Sequence, residues 1–305
     1  MKFIVAFLTV VNLFFSGCTN ETEVKTFSIG TNIWPGYEPL HLAKIQNEYK
    51  NNVDVITYDS ATIVLNKFRN KEIEGAALTL DEVILLKDQG YNPVIIAVLD
   101  VSEGADVLLC KPNINSLSEL KDKSIGVENS ALGSYILTRV LELAKLTNND
   151  IQLVPLGVNQ HEGAFDDNVV DAVITFEPVR SELLKKGAKE IFTSKDIPGE
   201  IVDVLVVRKE FLDSKYIEDI LQAWEISSKQ ILSGDSKAIS LISKRLNQSS
   251  SEFINSLDGL SIPTREKSNT MLKDGSLRQT ILKIQNVMLE KKLIKKEIDV
   301  ESVIY

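Results

Sequence analysis

Two cysteines, two histidines and two tryptophans are all that 305 residues hold of those types, and each shortage removes a class of chemistry. Cys18 and Cys110 form no CxxC pair and no disulfide framework, so packing must stabilise a chain of this length. His41 and His161 cannot build a multi-histidine metal site, and no metal or cofactor is expected. His161, in NQHEGAF, could act as a base, but a single histidine in a polar loop is more often solvated or locally hydrogen-bonded. A Walker loop, a GxGxxG turn and a GxSxG elbow are absent. Basic charge is short as well: 34 Lys and Arg stand against 43 Asp and Glu, a formal net charge of −9. That balance argues against nucleic acid or an anionic lipid surface as a partner. The one basic run, Lys291, Lys292, Lys295 and Lys296, is interleaved with Glu290 and Glu297 and reads as a solvated helix face.

The longest apolar run, residues 3–15 of MKFIVAFLTVVNLFFSGC, has the length of an export-signal core rather than of a membrane span. Ser16-Gly17-Cys18 at its end resembles the lipobox of bacterial lipoproteins, with Phe15 where Leu is usual. The resemblance implies removal of residues 1–17 and lipidation of Cys18. Residues 18–25 then form a polar tether, and a soluble body sits on the periplasmic side of a bacterial membrane. Each buried lipid methylene adds about 0.8 kcal/mol to such an anchor. Cys110, which ends DVLLC, is then a small buried apolar residue.

What is present is alternation. Short apolar runs at Phe27, Val53, Glu74, Pro93, Asp106, Ser124, Ile151, Asp171, Glu190 and Val202 read as strands separated by helical patterns, the signature of an α/β fold with mainly parallel sheets. Ser60 is placed to cap the helix ATIVLNKFRN, and another helix starts near Ser130. After about Phe211 only helical periodicity remains. Leu277, Ile281, Ile284 and Met288 fall at spacings that form one buried stripe.

In open α/β sheets ligands bind beyond the carboxyl ends of strands. That rule collects Asn32, Trp34, Tyr37 and Glu38 after the first strand, Asp59 and Ser60 after the second, and Thr79 and Asp81 after the third. Later units add Glu128, Asn129, Ser130 and Gly133, then Thr175 and Glu177. Asp106 and Asp203 lie at the same edges. ENSALGS offers free backbone N–H groups at a helix start, which suits an anion. Against it, one like-charge contact at about 4 Å costs on the order of 4 kcal/mol at an effective dielectric of about 20, more than a helix terminus returns. The acids therefore favour a ligand with amine, amidine or heterocyclic N–H groups, and a flat part that could stack on Trp34 or Tyr37. Each acid taken singly could equally cap a helix or stay solvated.

WPGYEPLHLA, LTLDEVILL, GADVLLCKP, KDKSIGVENSALGSYIL, DAVITFEPVR and IPGEIVDVLVVRKEF together resemble the solute-binding proteins of ABC importers in the nitrate, sulfonate and taurine group, which includes binders of thiamine-pyrimidine precursors. The resemblance implies a two-lobed periplasmic-binding fold of the second type, probing a small-molecule ligand and delivering it to a permease, most simply as a monomer. It places the first crossing between lobes near Gly104, Ala105 and Asp106 and the return near Val202 and Asp203. Lobe one would take residues 26–104 and 204–305, and lobe two residues 105–203. A binding protein that feeds a membrane sensor would have the same structure. The superfamily's pyrimidine synthases use a cysteine-rich motif that this chain lacks, so no enzyme activity is expected.

Overall fold

The computed structural model describes residues 26–305. The expected export signal, Cys18 and the whole tether lie outside the described residues. Ten strands form at the ten apolar runs. In chain order they are β1 Phe27–Thr31, β2 Val53–Thr57, β3 Gly75–Thr79, β4 Pro93–Ser102, β5 Val107–Cys110, β6 Ser124–Glu128, β7 Gln152–Leu156, β8 Ala172–Thr175, β9 Lys189–Thr193 and β10 Val202–Arg208. An eleventh, β11 Leu260–Ser261, is too short to leave a periodic signal.

The strands divide between two sheets, in the orders β11-β4-β10-β3-β1-β2 and β7-β6-β8-β5-β9. The sheets are mixed, not mainly parallel. The βα units β1, β2 and β3 pair in parallel, as do β6, β7 and β8. β10 runs antiparallel to both β3 and β4, and β5 antiparallel to both β8 and β9. The cause is the crossing of the chain: β4 leaves the first sheet, β5 enters the second, and β10 returns between β3 and β4 against their direction. β3 and β10 are buried along their whole length, as central strands covered on both faces must be. The edge strand β7 alternates with solvent.

Helices α1 Glu38–Ile45, α2 Ala61–Arg69 and α3 Leu80–Asp88 cover the first sheet, and α4 Ala131–Ala144, α5 His161–Asp166 and α6 Val179–Lys185 the second. The tail is α7 Lys215–Leu232, α8 Ser236–Leu246, α9 Ser250–Ser256, α10 Arg265–Lys273 and α11 Ser276–Glu290. Ser60 caps α2 by accepting from Ile63 N at 3.3 Å. Leu277, Ile281, Ile284 and Met288 of α11 all enter the core shared with Val83 and Ile84 of α3, so the tail belongs to the first sheet. Cys110 is buried, and burial pushes its thiol up to about 11, which keeps it unreactive.

The crossing from β4 to β5 is clamped by the loop before β11. Gly259 (φ +84°) accepts from Glu103 N at 2.7 Å, and a Cβ there would lie 2.7 Å from both Gly104 C and Ala105 N. Gly187 has a similar φ of +89° with open space around it. Gly187→Ala should therefore cost about 1 kcal/mol from the backbone alone, and Gly259→Ala roughly 2–3 kcal/mol because the crossover must also move. Denaturant midpoints compare the two; equal losses would show that the crossover is not constrained by this contact.

Candidate functional site

The loop after β1 turns through Pro35–Tyr37, a short 3-10 segment that runs directly into α1. This turn places Trp34 and Tyr37 at the carboxyl edge of the first sheet, where both are buried. They wall a small cavity between the two sheets, together with Asn32, Ala61, Thr79, Glu82 and Asp203 from the first sheet's side. The second sheet and the crossings contribute Asp106, Glu128, Leu132, Phe176 and Ile201. The cavity measures ≈ 20 Å³, room for a water molecule or two. Trp34 meets Phe176 edge to face at 5.4 Å, and Thr62 Oγ1 donates to Asn129 O at 2.9 Å; both contacts join the two units across the cavity.

No Lys, Arg or His lines it. Cross-strand register sets Asp203 of β10 directly beside Thr79 of β3 and Asp100 of β4. Trp34 Nε1 donates to both oxygens of Asp100, at 3.1 and 3.3 Å, and the Tyr37 hydroxyl donates to Asp203. Glu82 Oε2 accepts from Thr79 N at 3.1 Å. The second oxygens are left over: Asp81 Oδ2, Glu82 Oε1, Asp106 Oδ2, Glu128 Oε1 and Asp203 Oδ2 are buried without a donor among the described residues. Burial accordingly raises the affinity of these groups for protons. Asp106 is pushed up to about 7 by desolvation, with the charges of Asp81 and Glu128 adding to it. Asp81, Glu82, Asp100, Glu128 and Asp203 move in the same direction, in each case chiefly through desolvation. Buried acceptors of this kind are costly unless paired.

The family model that matches the chain is that of the NMT1-like family, over residues 20–231. The chain belongs to the NMT1-like family. No curated relative matches. Among solved structures, this NMT1-like chain is similar to the periplasmic aliphatic sulphonate-binding protein SsuA of Escherichia coli, with a TM-score of 0.76 and 17% identity over 92% of each chain. The alkanesulfonate-binding SsuA of Xanthomonas axonopodis pv. citri, bound to MOPS, matches at 0.76 and 14% identity, over 92% of this chain and 98% of that one. A ligand-binding component of an ABC-type import system from Staphylococcus aureus, with zinc bound, matches at 0.75 and 15%, over 92% and 96%. These likenesses establish the two-sheet periplasmic-binding fold.

Of the residues selected by the strand-end rule, Asn32, Trp34, Tyr37, Thr79, Asp106, Glu128 and Asp203 meet at the cavity. Asp81 stands just behind it, buried on the first turn of α3. The others go elsewhere in this NMT1-like fold. Asp59 is exposed, Ser60 caps α2, and Ser130 caps α4 by accepting from Gly133 N at 3.0 Å while donating to Glu128 Oε2 at 2.9 Å. Asn129 is exposed, and only its carbonyl is engaged. Glu177 lines a separate crevice of ≈ 320 Å³ and accepts from Ser181 N and Oγ. Glu38 does not face the cleft. It is 2% exposed and receives Arg245 Nη1 at 2.8 and 3.0 Å, because one residue along a helical start rotates the side chain away from that of Tyr37. His161 is fully buried rather than solvated, with Nδ1 3.1 Å from Thr175 Oγ1, and burial lowers it to about 4.

Sequence reasoning passed over Glu82 and Asp100. The Thr79-x-x-Glu82 spacing is a helix-start signal, and Asp100 interrupts an otherwise apolar strand; either could have marked them. Glu38 supplies a test of the rearranged assignment. Desolvation raises it to about 7 against the lowering effect of Arg245. A carboxyl raised in the folded state destabilises when ionised, so stability falls as pH rises through that value. Arg245→Ala should cost roughly 3 kcal/mol near pH 8 and clearly less near pH 5, where Glu38 takes up a proton. A pH-independent loss in denaturation curves would refute this account of the pair.

Proposed function

We propose that the chain is an extracytoplasmic solute-binding protein, anchored by lipid at Cys18, that delivers a small organic molecule bearing amine or N-heterocyclic N–H groups to an ABC importer. Membership of the NMT1-like family and likeness to importer binding proteins support the transport role. The observation that carries the ligand is the set of five buried carboxylate oxygens without a donor around one cavity between the sheets. The lobes are residues 26–104 with 204–305, and residues 105–203. The chain passes from one sheet to the other between Ser102 and Val107 and back between Thr193 and Val202, which suits this division. Binding energy then favours closure of the lobes on the ligand, and the closed form is what the permease receives.

Native mass spectrometry of the chain from Thr19 onward, made in cells, should detect a bound small organic molecule carrying N–H groups. Recovery of nitrate, sulfate or a sulfonate would overturn the ligand assignment, and a chain that retains no solute after exposure to cell extract would overturn the binding role. Intact mass of the full chain isolated from membranes should correspond to a protein that begins at Cys18 and bears acyl chains; an unacylated, freely soluble product would refute the anchor.

A further inference from the structure

The chemistry of the wall narrows the ligand further, on the reading of this cavity as the binding site. The aromatic donors are spent: Trp34 Nε1 is held by Asp100 and the Tyr37 hydroxyl by Asp203. Asn32 is the remaining side-chain amide in the wall. Thr79 adds one hydroxyl, buried without a partner. The other polar groups that face inward are carboxyls, from separate elements: Glu82 of α3, Asp203 of β10, Asp106 of the first crossing and Glu128 at the end of β6. Asp81 and Asp100 stand directly behind these, with Tyr37 beside Asp203 and Tyr135 near Asp81. A neutral heterocycle would bring ring-nitrogen or carbonyl acceptors for which the wall offers only Asn32 and the Thr79 hydroxyl as free side-chain donors, and wherever the acids are ionised it would leave their charge uncompensated. A sulfonate or nitrate would add to that charge.

We infer that the ligand is a cation of the guanidine, amidine or polyamine class, whose N–H groups bridge Glu128 of the second sheet to Glu82 and Asp203 on the first sheet's side and whose charge replaces protons held by those acids. The register pair Asp100 and Asp203 gives the reason for those protons. The two residues lie opposite each other on neighbouring strands, and desolvation raises both; like charges so placed repel unless one takes up a proton. Burial raises all of these acids, Asp106 to about 7, so in this arrangement protons are retained toward neutral pH. A cation entering must release these protons to solvent, so its affinity rises with pH through that range, by about tenfold per pH unit for each proton displaced.

Calorimetric titration of the chain from Thr19 onward, which keeps every described residue, tests this with agmatine, spermidine, cytosine, taurine and nitrate as probes. The sample is first unfolded and refolded to strip retained solutes. Agmatine or spermidine should bind more tightly than the neutral and anionic probes, and more tightly at about pH 8 than at about pH 6. Glu128→Gln and Asp203→Asn should each weaken the cation by about tenfold or more and reduce the pH dependence; two variants on different sheets guard against a folding defect in one. Tightest binding of cytosine, taurine or nitrate, cation affinity that falls as pH rises, or no binding of either cation would each overturn the inference. A neutral N–H-bearing solute recovered by native mass spectrometry would also defeat it while leaving the binding role intact, so the two failures are distinguishable.

Discussion

The register of three strands is the constraint on which the site depends. β3, β10 and β4 are aligned so that Thr79, Asp203 and Asp100 stand in one lateral row, in a part of the sheet where Asp100 is fully buried. A shift of one residue in β10 would turn Asp203 to the opposite face and bring Val202 or Val204 to the row. The apolar run VDVLVV fixes that register, since its buried valines have no other place. Stability of the first sheet thus forces two carboxyls together where water cannot solvate them. The surroundings accommodate this at close range: Trp34 and Tyr37 lend donors to the pair, and Gly36 leaves room, because a Cβ there would lie 1.8 Å from Asp100 Oδ2.

Position relative to the crossings turns this local problem into a property of the whole fold. Asp106 ends the first crossing and Asp203 lies just after the second, so both acids sit where the chain passes between the two sheets. Glu128 comes from the other sheet altogether and contributes to raising both Glu82 and Asp106. Bringing the units together therefore concentrates charge, and separating them relieves it. A cavity of ≈ 20 Å³ is well below the few hundred Å³ of an ordinary ligand pocket. An organic cation is admitted only if these walls separate or their side chains turn, the movement that charge repulsion favours. Neutralisation and closure are in this sense one event.

Much of this was legible in the residues. The ten apolar runs became ten strands, and the strand-end rule brought Asn32, Trp34, Tyr37, Thr79, Asp106, Glu128 and Asp203 to one place. What was illegible were properties of pairing. Strand direction at β5 and β10 depends on where the chain re-enters a sheet, which no local pattern encodes. Glu38 was misplaced because its partner, Arg245, is 207 residues away, and His161 because burial of a polar-looking loop is decided by the helix packed over it. Core residue and cavity wall are not alternatives at Trp34. It is both: it belongs to the apolar cluster with Tyr37, Leu40 and Phe176 and also faces the cavity.

Glu38 and Asp203 show by contrast what sets the acid cluster apart from a carboxyl buried for structure. Both carboxyls are 2% exposed, and desolvation raises both. For Glu38 the fold supplies the Arg245 guanidinium from α8, whose Nη1 donates to both oxygens and joins the tail to α1. A chain with 34 Lys and Arg had the means to do the same around Asp203, and a charge buried for structure alone is ordinarily paired in this way. Yet the wall around Asp203, Asp106, Glu82 and Glu128 contains no basic side chain. On the cation reading proposed above, the compensation that this part of the interior lacks arrives from outside the chain, as protons when the solution is acidic and as N–H-bearing cations when it is not.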